Sequence, residues 1–330
     1  MSDLEKWNVH GPVKTLRKEF AEWDVATKDW KTPKGYTFVE FRPDGQLSKV
    51  EVHNPDGSIM RQNFIYDEAG RLQSIGSQMN DQSPSQSLLR YDDRGRLVRT
   101  TQLDPNGVRT DSEIYSYDSI GRKTKVTFLQ RSPGVKTVGY MIEDSEQGFS
   151  QPGAATLTTS YDEKDRATET LVHDSAHQLL QQIIMTRDEA GRLLKVEALA
   201  AGRSPFSEFE KVASAEERAQ IKEALAKMFA PGKVTISTAY SYDSKGRLIE
   251  RHSNLFDMEE DRHSFVFDEQ DNPVSEEMES YGDSPHRQHN RFAYDYDSKG
   301  NWTRRCVSYQ LENAEDFQNS HIERRIITYY

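Results

Sequence analysis

Cysteine is all but absent from this chain: Cys306 is the only one among 330 residues, so no internal disulfide can form. It reads as a part-buried strand thiol, because a reactive thiol needs a cationic partner held beside it in the fold. No stretch approaches the roughly 20 apolar residues of a membrane helix. The start, Met1-Ser2-Asp3-Leu4-Glu5-Lys6, lacks the apolar centre of a signal peptide, which as written implies the cytoplasm. Removal of a signal peptide would instead imply a secreted or periplasmic protein. Apolar residues are few, 35% against 29% charged. That is too polar for a parallel sheet buried on both faces, but enough for strands that bury one face and wet the other. Positive charge is the minority sign, with 43 basic against 54 acidic residues and a net charge of −11. Such a chain repels nucleic acid. A glycine-rich phosphate loop, a nucleophile elbow and an ordered catalytic triad are also missing.

What is present is a repeat. Tyr66-Asp67-Glu68-Ala69-Gly70-Arg71-Leu72 returns as Tyr91-Asp92-Asp93-Arg94-Gly95-Arg96-Leu97, as Tyr117-Asp118-Ser119-Ile120-Gly121-Arg122 and as Tyr242-Asp243-Ser244-Lys245-Gly246-Arg247-Leu248. Weaker copies start at Tyr161, Arg187, Phe267 and Tyr296. The step is 25 residues from 66 to 91 and 26 from 91 to 117, and a fixed step with fixed chemistry marks a repeat architecture.

The phrase has the chemistry of a hairpin corner. Asp, two free positions and Gly match a type I turn followed by a left-handed residue that closes a bulged hairpin. Asn54-Pro55-Asp56-Gly57 and Asp104-Pro105-Asn106-Gly107 fit the same template, with Arg42-Pro43-Asp44-Gly45 a near copy. Where Gly is replaced, Asp165, Asp271 and His177 are expected to take the left-handed conformation. Before each corner apolar residues alternate, as in Phe64 and Tyr66, Leu89 and Tyr91, or Tyr240 and Tyr242, the period of a half-buried strand. The expected fold is all-β: one long antiparallel meander of roughly eighteen to twenty strands from Gly35 onward, with an earlier strand near Val13–Glu22. A sheet of that many twisted strands curls, closes or splits. The expectation is a single domain, residues 1–330, curled into a shell, a barrel-like sheet or a spiral.

Two inserts interrupt the repeat. Within about residues 204–232, Ser214-Ala215-Glu216-Glu217 reads as a capping box. Ile221, Leu225, Met228 and Phe229 follow at helical spacing before Pro231-Gly232. This amphipathic helix is expected to pack over a sheet face or edge. The other insert, the first in chain order, spans Arg131–Gly153.

The Tyr-Asp-x-x-Gly-Arg-Leu phrase is similar to the YD repeat, or Rhs repeat, of bacterial Rhs and polymorphic toxins, toxin-complex C components and animal teneurins. The resemblance covers about Phe41 to Tyr309. It implies antiparallel hairpins coiled into a hollow shell, which in the toxins encloses a C-terminal effector. Asp104-Pro105 lies in an ordinary turn, so a self-cleavage segment is not in evidence. The hairpin pattern continues to Ile326-Ile327-Thr328-Tyr329-Tyr330, leaving no residues for a toxin. The closer likeness is to short stand-alone bacterial YD-repeat proteins.

The chemical candidates are weak beside the repeat. Asp67 and Arg71, Asp118 and Arg122, and Asp243 and Arg247 recur at every corner, whereas an active site is singular, so they read as turn and ion-pair residues. His173 and His177 straddle a turn, and His286 lies three before His289; neither pair has an assignable third ligand for zinc. Glu259-Glu260-Asp261 and Glu276-Glu277 read as solvated. No catalytic, cofactor-binding or metal-binding residue is therefore assigned, and no cofactor. The expected function is a non-catalytic scaffold that binds a protein partner, without nucleic acid and without a membrane span. The alternative is a carbohydrate-binding module using a concave aromatic face.

Overall fold

The computed structural model describes residues 2–130, 137–141, 148–202, 215–256, 258–281, 285–312 and 314–330. The corners dictate the rest. At the first full copy the Asp67 N–H donates to the Arg71 carbonyl (2.9 Å) and the Gly70 N–H donates back to the Asp67 carbonyl (3.0 Å). The same two bonds recur at Asp92, Asp118, Asp162, Asp188, Asp243, Asp268 and Asp297. The third residue after each Asp is left-handed: Gly95 has φ 78° and Gly246 φ 86°, while Asp165, His177 and Asp271 adopt 60°, 60° and 62°. The turn expectation thus holds even where glycine is absent.

The chain begins with the one-turn helix α1 (Asp3–Lys6), closed by a capping box from Ser2 and Glu5. Strands β1 (Val13–Asp24), β2 (Asp29–Trp30), β3 (Tyr36–Phe41) and β4 (Leu47–His53) follow. Next come β5 (Ile59–Tyr66), β6 (Leu72–Met79), β7 (Ser85–Tyr91), β8 (Leu97–Leu103), β9 (Arg109–Tyr117) and β10 (Lys123–Gln130). The first insert contributes β11 (Thr137–Met141) and β12 (Gly148–Pro152), a separate two-stranded sheet. After it run β13 (Thr156–Tyr161), β14 (Ala167–His173), β15 (Leu179–Arg187) and β16 (Leu193–Ala200). The helix α2 (Ala215–Met228) precedes β17 (Val234–Tyr242), β18 (Leu248–Leu255), β19 (Met258–Phe267) and β20 (Pro273–Ser280). The chain ends on β21 (His286–Tyr296), β22 (Trp302–Leu311) and β23 (Gln318–Tyr329).

Every neighbour pairing is antiparallel, and the sheet closes. β1 pairs with β3 on one side (Leu16 opposite Val39) and with β23 on the other (Leu16 opposite Ile327). Twenty strands form the ring: β1, β3 to β10 and β13 to β23, with β2 appended to the end of β1. From Gly35 onward there are 21 strands, slightly more than expected, because the first insert adds its own pair. The expected meander with α2 as its long helix is the observed one; the short α1 was not foreseen.

A recurring irregularity drives the curvature. At each motif corner the ladder skips a residue: Ile65 faces Ser74, yet Tyr66 faces Leu72. The same bulge occurs at Phe41, Tyr91, Tyr117, Tyr161, Arg187, Tyr242, Phe267 and Tyr296. A bulge bends its strand and adds twist. It repeats on alternate strands at this end of the sheet, and further register shifts stand at the opposite end, at Leu103, His173, Leu199, Asn254 and Ser308. All the motif corners lie on one rim, the motif rim. The opposite rim carries both inserts and the β1–β2 hairpin.

Alternation along each strand defines two faces. Gln62, Phe64 and Tyr66 share the tyrosine face, while Asn63 and Ile65 point the other way and are exposed. The same ordering holds on β15, where Gln181, Ile183 and Met185 are buried. The tyrosine face is the more covered one, as on the concave side of a closed sheet, where side chains converge. Twenty strands about 4.8 Å apart give a ring roughly 100 Å around, far more than the eight strands whose interior side chains alone fill.

Two apolar clusters lie on the tyrosine face, each under a covering segment. Leu157, Val172, Ile183, Met185, Val196 and Ala198 lie beneath Phe149 of the first insert. Leu16, Val39, Phe41 and Val50 lie beneath Leu4, Trp7 and Val9 of the N-terminal segment. The helix α2 turns Ile221, Leu225 and Met228 inward, as its spacing predicts, but the contact it makes is terminal: Phe229 is buried and meets Phe256 edge-on at 5.2 Å. Its predicted cap at Ser214 lies outside the described residues.

Gly70 and Gly76 separate backbone strain from packing, because an added Cβ meets nothing within 4 Å at either. Only Gly70 is left-handed, at φ 76°. Gly70→Ala is expected to destabilise by about 1 kcal/mol, and Gly76→Ala to be neutral or stabilising. Chemical denaturation checks this, and equal midpoints for both variants would contradict the turn assignment.

Candidate functional site

The motif rim is a relay in which each residue of the repeat has one task. Asp67 Oδ1 accepts the N–H groups of Ala69 (3.0 Å) and Arg71 (2.9 Å). Its Oδ2 accepts Nε (2.8 Å) and Nη2 (2.7 Å) of the Arg71 guanidinium, a two-point charge-assisted pair. Held there, Arg71 lies over the ring of Tyr91 in the next copy, 5.0 Å from its centroid. The Tyr91 hydroxyl donates back to the Leu72 carbonyl (2.8 Å), just past Arg71. The same circuit links Arg96 to Tyr117, Arg122 to Tyr161 and Arg192 to Tyr242. Where Tyr is replaced, Arg187 reaches the Ala167 carbonyl through Nε at 3.3 Å. The repeated Asp and Arg residues are therefore corner and ion-pair groups, as expected.

Two corners depart from the pattern, and the departures are informative. Position 301 holds Asn where the motif has Arg, and Asn301 is almost wholly buried. Its Oδ1 accepts the His10 N–H (2.6 Å), and its Nδ2 donates to the His10 carbonyl (2.9 Å) and the Tyr329 hydroxyl (2.8 Å). Tyr329 moves into the vacant Arg place and donates to Asp297 Oδ2. Asn272 repeats the exchange, with Tyr296 donating to Asp268 Oδ2 at 2.9 Å. Asn301 thus converts a corner into a clamp for the N-terminal segment.

Two further groups hold that segment. Arg325 on β23 donates to the carbonyls of Asn8 (3.0 Å) and Trp7 (3.2 Å), and lies 3.4 Å over the Trp302 ring. Asp3 Oδ2 accepts the Leu47 N–H at 3.0 Å. Burial lowers Arg325 to about 10.

Beside the clamp the tyrosine face becomes an ionic wall. Burial pushes the Glu323 carboxyl upward, but Lys18 (2.7 Å) and Arg305 (2.5 Å) override it and leave it below its ordinary value. His321 is held down by burial. Further round, Glu276 is lowered by its 3.0 Å bond to His263 Nδ1, and Asp261 lies 3.6 Å from Arg251. Composition alone did not reveal this wall; the signal was charged residues at alternate strand positions, in phase with the tyrosines.

The histidine candidates are dispersed. His177 occupies the left-handed corner position, and His173 ends β14. His286 and His289, three apart on a strand, point to opposite faces. Ser275 meets His289 Nε2 at 2.7 Å, and His252 pairs with Glu259 at 2.9 Å. Glu277 of the acidic pair is bound by Arg287 (3.2 Å). Cys306 is half-buried on β22, as expected. Among the described residues no group of three or more His, Cys, Asp or Glu could hold a metal ion.

Neither face is an apolar band. Lys49, Glu51, Arg61, Arg99, Lys125, Glu197, Glu250 and Arg304 occupy mid-strand positions on the face opposite the tyrosines. A bilayer core penalises such charges. Among the described residues no helix is long and apolar enough to cross a membrane.

The fold thus defines a class: a closed, shell-like antiparallel scaffold built from hairpin repeats. No family model and no curated protein matches the chain. Among solved structures it is similar to TcdB2-TccC3-Cdc42, at TM-score 0.41 and 14% identity over 89% of this chain. It is also similar to TcdB2-TccC3-TEV, at TM-score 0.38 and 13% identity over 90% of this chain. The chain spans 15% and 16% of those two chains. A porin-like protein from Bacteroides uniformis aligns over 96% of this chain and 98% of its own, at TM-score 0.36 and 10% identity.

The relay sets the pH range of stability. Its aspartates are lowered by the guanidinium and backbone donors, Asp162 to about 2. A lowered carboxylate contributes stability above its unfolded value near 3.9, which is lost as pH falls through the folded value. Burial raises Tyr66 to about 12. Its contribution is complete below the unfolded value near 10 and is lost as pH rises toward 12. The relay's contribution to the denaturation midpoint should be flat between about pH 4 and 10 and fall on both sides, while His321, lowered by burial, adds a separate loss as pH falls below about 6.5; a midpoint unchanged from pH 4 to 2 would contradict the relay. Separately, Asn301→Leu should speed hydrogen exchange of residues 2–11 at least tenfold, because the His10 backbone loses both partners. Unchanged exchange there would remove the clamp.

Proposed function

We propose that this protein is a non-catalytic scaffold whose concave tyrosine face holds a polypeptide. One observation carries the reading: the face and its rim already hold a polypeptide turn, their own residues 7–10 at the end of α1, by its backbone groups through Arg325 and Asn301. Recognition through carbonyl and N–H groups is independent of side-chain sequence, which suits a scaffold. The carbohydrate alternative is weaker, because the motif tyrosines already carry guanidinium groups on their rings and are not free stacking platforms.

Photo-crosslinking tests this at neighbouring positions with opposite directions. A benzoylphenylalanine at Gln62, on the tyrosine face, should crosslink a polypeptide partner in the source cell, whereas one at Asn63 should not. Crosslinks confined to Asn63, or binding of glycans that Gln62 substitution abolishes, would overturn the reading.

A further inference from the structure

A hollow of about 530 Å3 opens on the tyrosine face at the rim opposite the motif corners. That is within the range of small-ligand sites, roughly 300 to 1,000 Å3. Phe20, Val52, Pro55 and Thr37 line it, and residues 31–35 border it. Gly35 keeps that border down: an added Cβ would stand 2.4 Å from the His53 carbonyl oxygen, so only glycine allows the segment to lie on β4. The apolar surface on offer is real, since Phe20 is 47% exposed although its ring stacks on His321 at 4.7 Å.

The charges around the hollow are unequally paired. Glu22 is matched by Lys31 (3.0 Å), and Glu19 by Arg17 (2.8 Å). Glu323 is matched twice, by Lys18 and Arg305. Lys34 lines the cavity, is exposed, and makes no ion pair among the described residues. In the lining itself three cations, Lys18, Lys31 and Lys34, meet three carboxylates, Glu19, Glu22 and Glu323, and of these cations Lys34 alone makes no ion pair among the described residues. An apolar floor with one ammonium at its mouth, felt by Glu22 but bonded to no carboxylate among the described residues, is complementary to an apolar body that bears one negative charge.

We propose that this hollow binds an amphipathic monocarboxylate, its apolar body against Phe20 and Val52 and its carboxylate on the Lys34 ammonium. The site goes beyond the scaffold reading and does not depend on it. Two sources share this chemistry: a free aryl or alkyl carboxylate, and the C-terminal residue of a polypeptide ending in an apolar side chain.

Calorimetric titration of the full chain with 2-naphthoate at pH 7 tests the proposal. Saturable binding at one site is expected, at least tenfold weaker for the neutral 2-naphthamide and for Lys34→Glu. Phe20→Ala should weaken it several-fold, while Lys34→Arg retains it. These positions are exposed, so folding is not at stake. Competition by Ala-Ala-Phe with a free C-terminus, but not by its amide, identifies a polypeptide end as the source; its failure identifies a free carboxylate. Absent naphthoate binding, or equal affinity for Lys34→Glu and for the amide, would overturn the site.

Discussion

The carboxylate at each corner is the interaction on which the molecule rests. One aspartate fixes the turn through its first oxygen and an arginine through its second. The arginine then fixes the tyrosine of the next hairpin, whose hydroxyl returns to the backbone beside that arginine. Local turn chemistry and contact between hairpins are thus one circuit at each full copy of the motif, and the turn half also forms alone, at Asp104 and Asp174. The strands between corners are short and half-polar, and bury too little apolar surface to align twenty of them. Register is set at the motif rim, and the bulge that accompanies it supplies the bend.

This division explains why the ends of the strands are so regular and their middles so varied. A residue at mid-strand answers to the face it points to, not to the relay. The tyrosine face can therefore be apolar at Ile183 and Val196, where Phe149 covers it, and ionic at Glu323 and Arg305. The scaffold tolerates this because hydrogen bonds and stacking at the rim do not depend on what the wall displays. Function can diversify along the wall while the rim stays constant.

Much of the fold could be read from the chain because its signal is local. Asp67-Glu68-Ala69-Gly70 specifies a corner within four residues, and Phe64 and Tyr66 specify a face. Even Asp165 and His177 were readable as left-handed positions, since each stands where glycine would. Closure was not readable in this way. It depends on Leu16 meeting both Val39 and Ile327, pairings that no short window contains. The clamp was hidden for a different reason: Asn301 looks like decay of the motif, and its meaning appears only when His10, 291 residues away, lies against it. The candidate site was least readable of all, because Phe20 and Lys34, on the β1–β3 hairpin, meet Glu323 only through closure of the ring.

The seam between the first strand and the last has a consequence for how such a chain is made. β1 is the first barrel strand to be synthesised, yet one of its two neighbours, β23, is the last. Throughout translation the growing sheet therefore presents two unpaired edges, the hazard that invites strands from other chains. Joining the termini also closes the longest loop in the molecule, an entropic cost that rises only logarithmically with length but slows the approach to the native state. The N-terminal clamp sits against this seam, with Arg325 contributed by β23 and Asn301 by the corner before β22. It can form only once those strands exist, so residues 2–11 act as a fastener set after the ring has met itself. Nascent chains are then expected to lean on chaperones until β22 and β23 emerge, and a stop codon anywhere before β23 leaves an open ribbon with two unpaired edges, however stable its corners are.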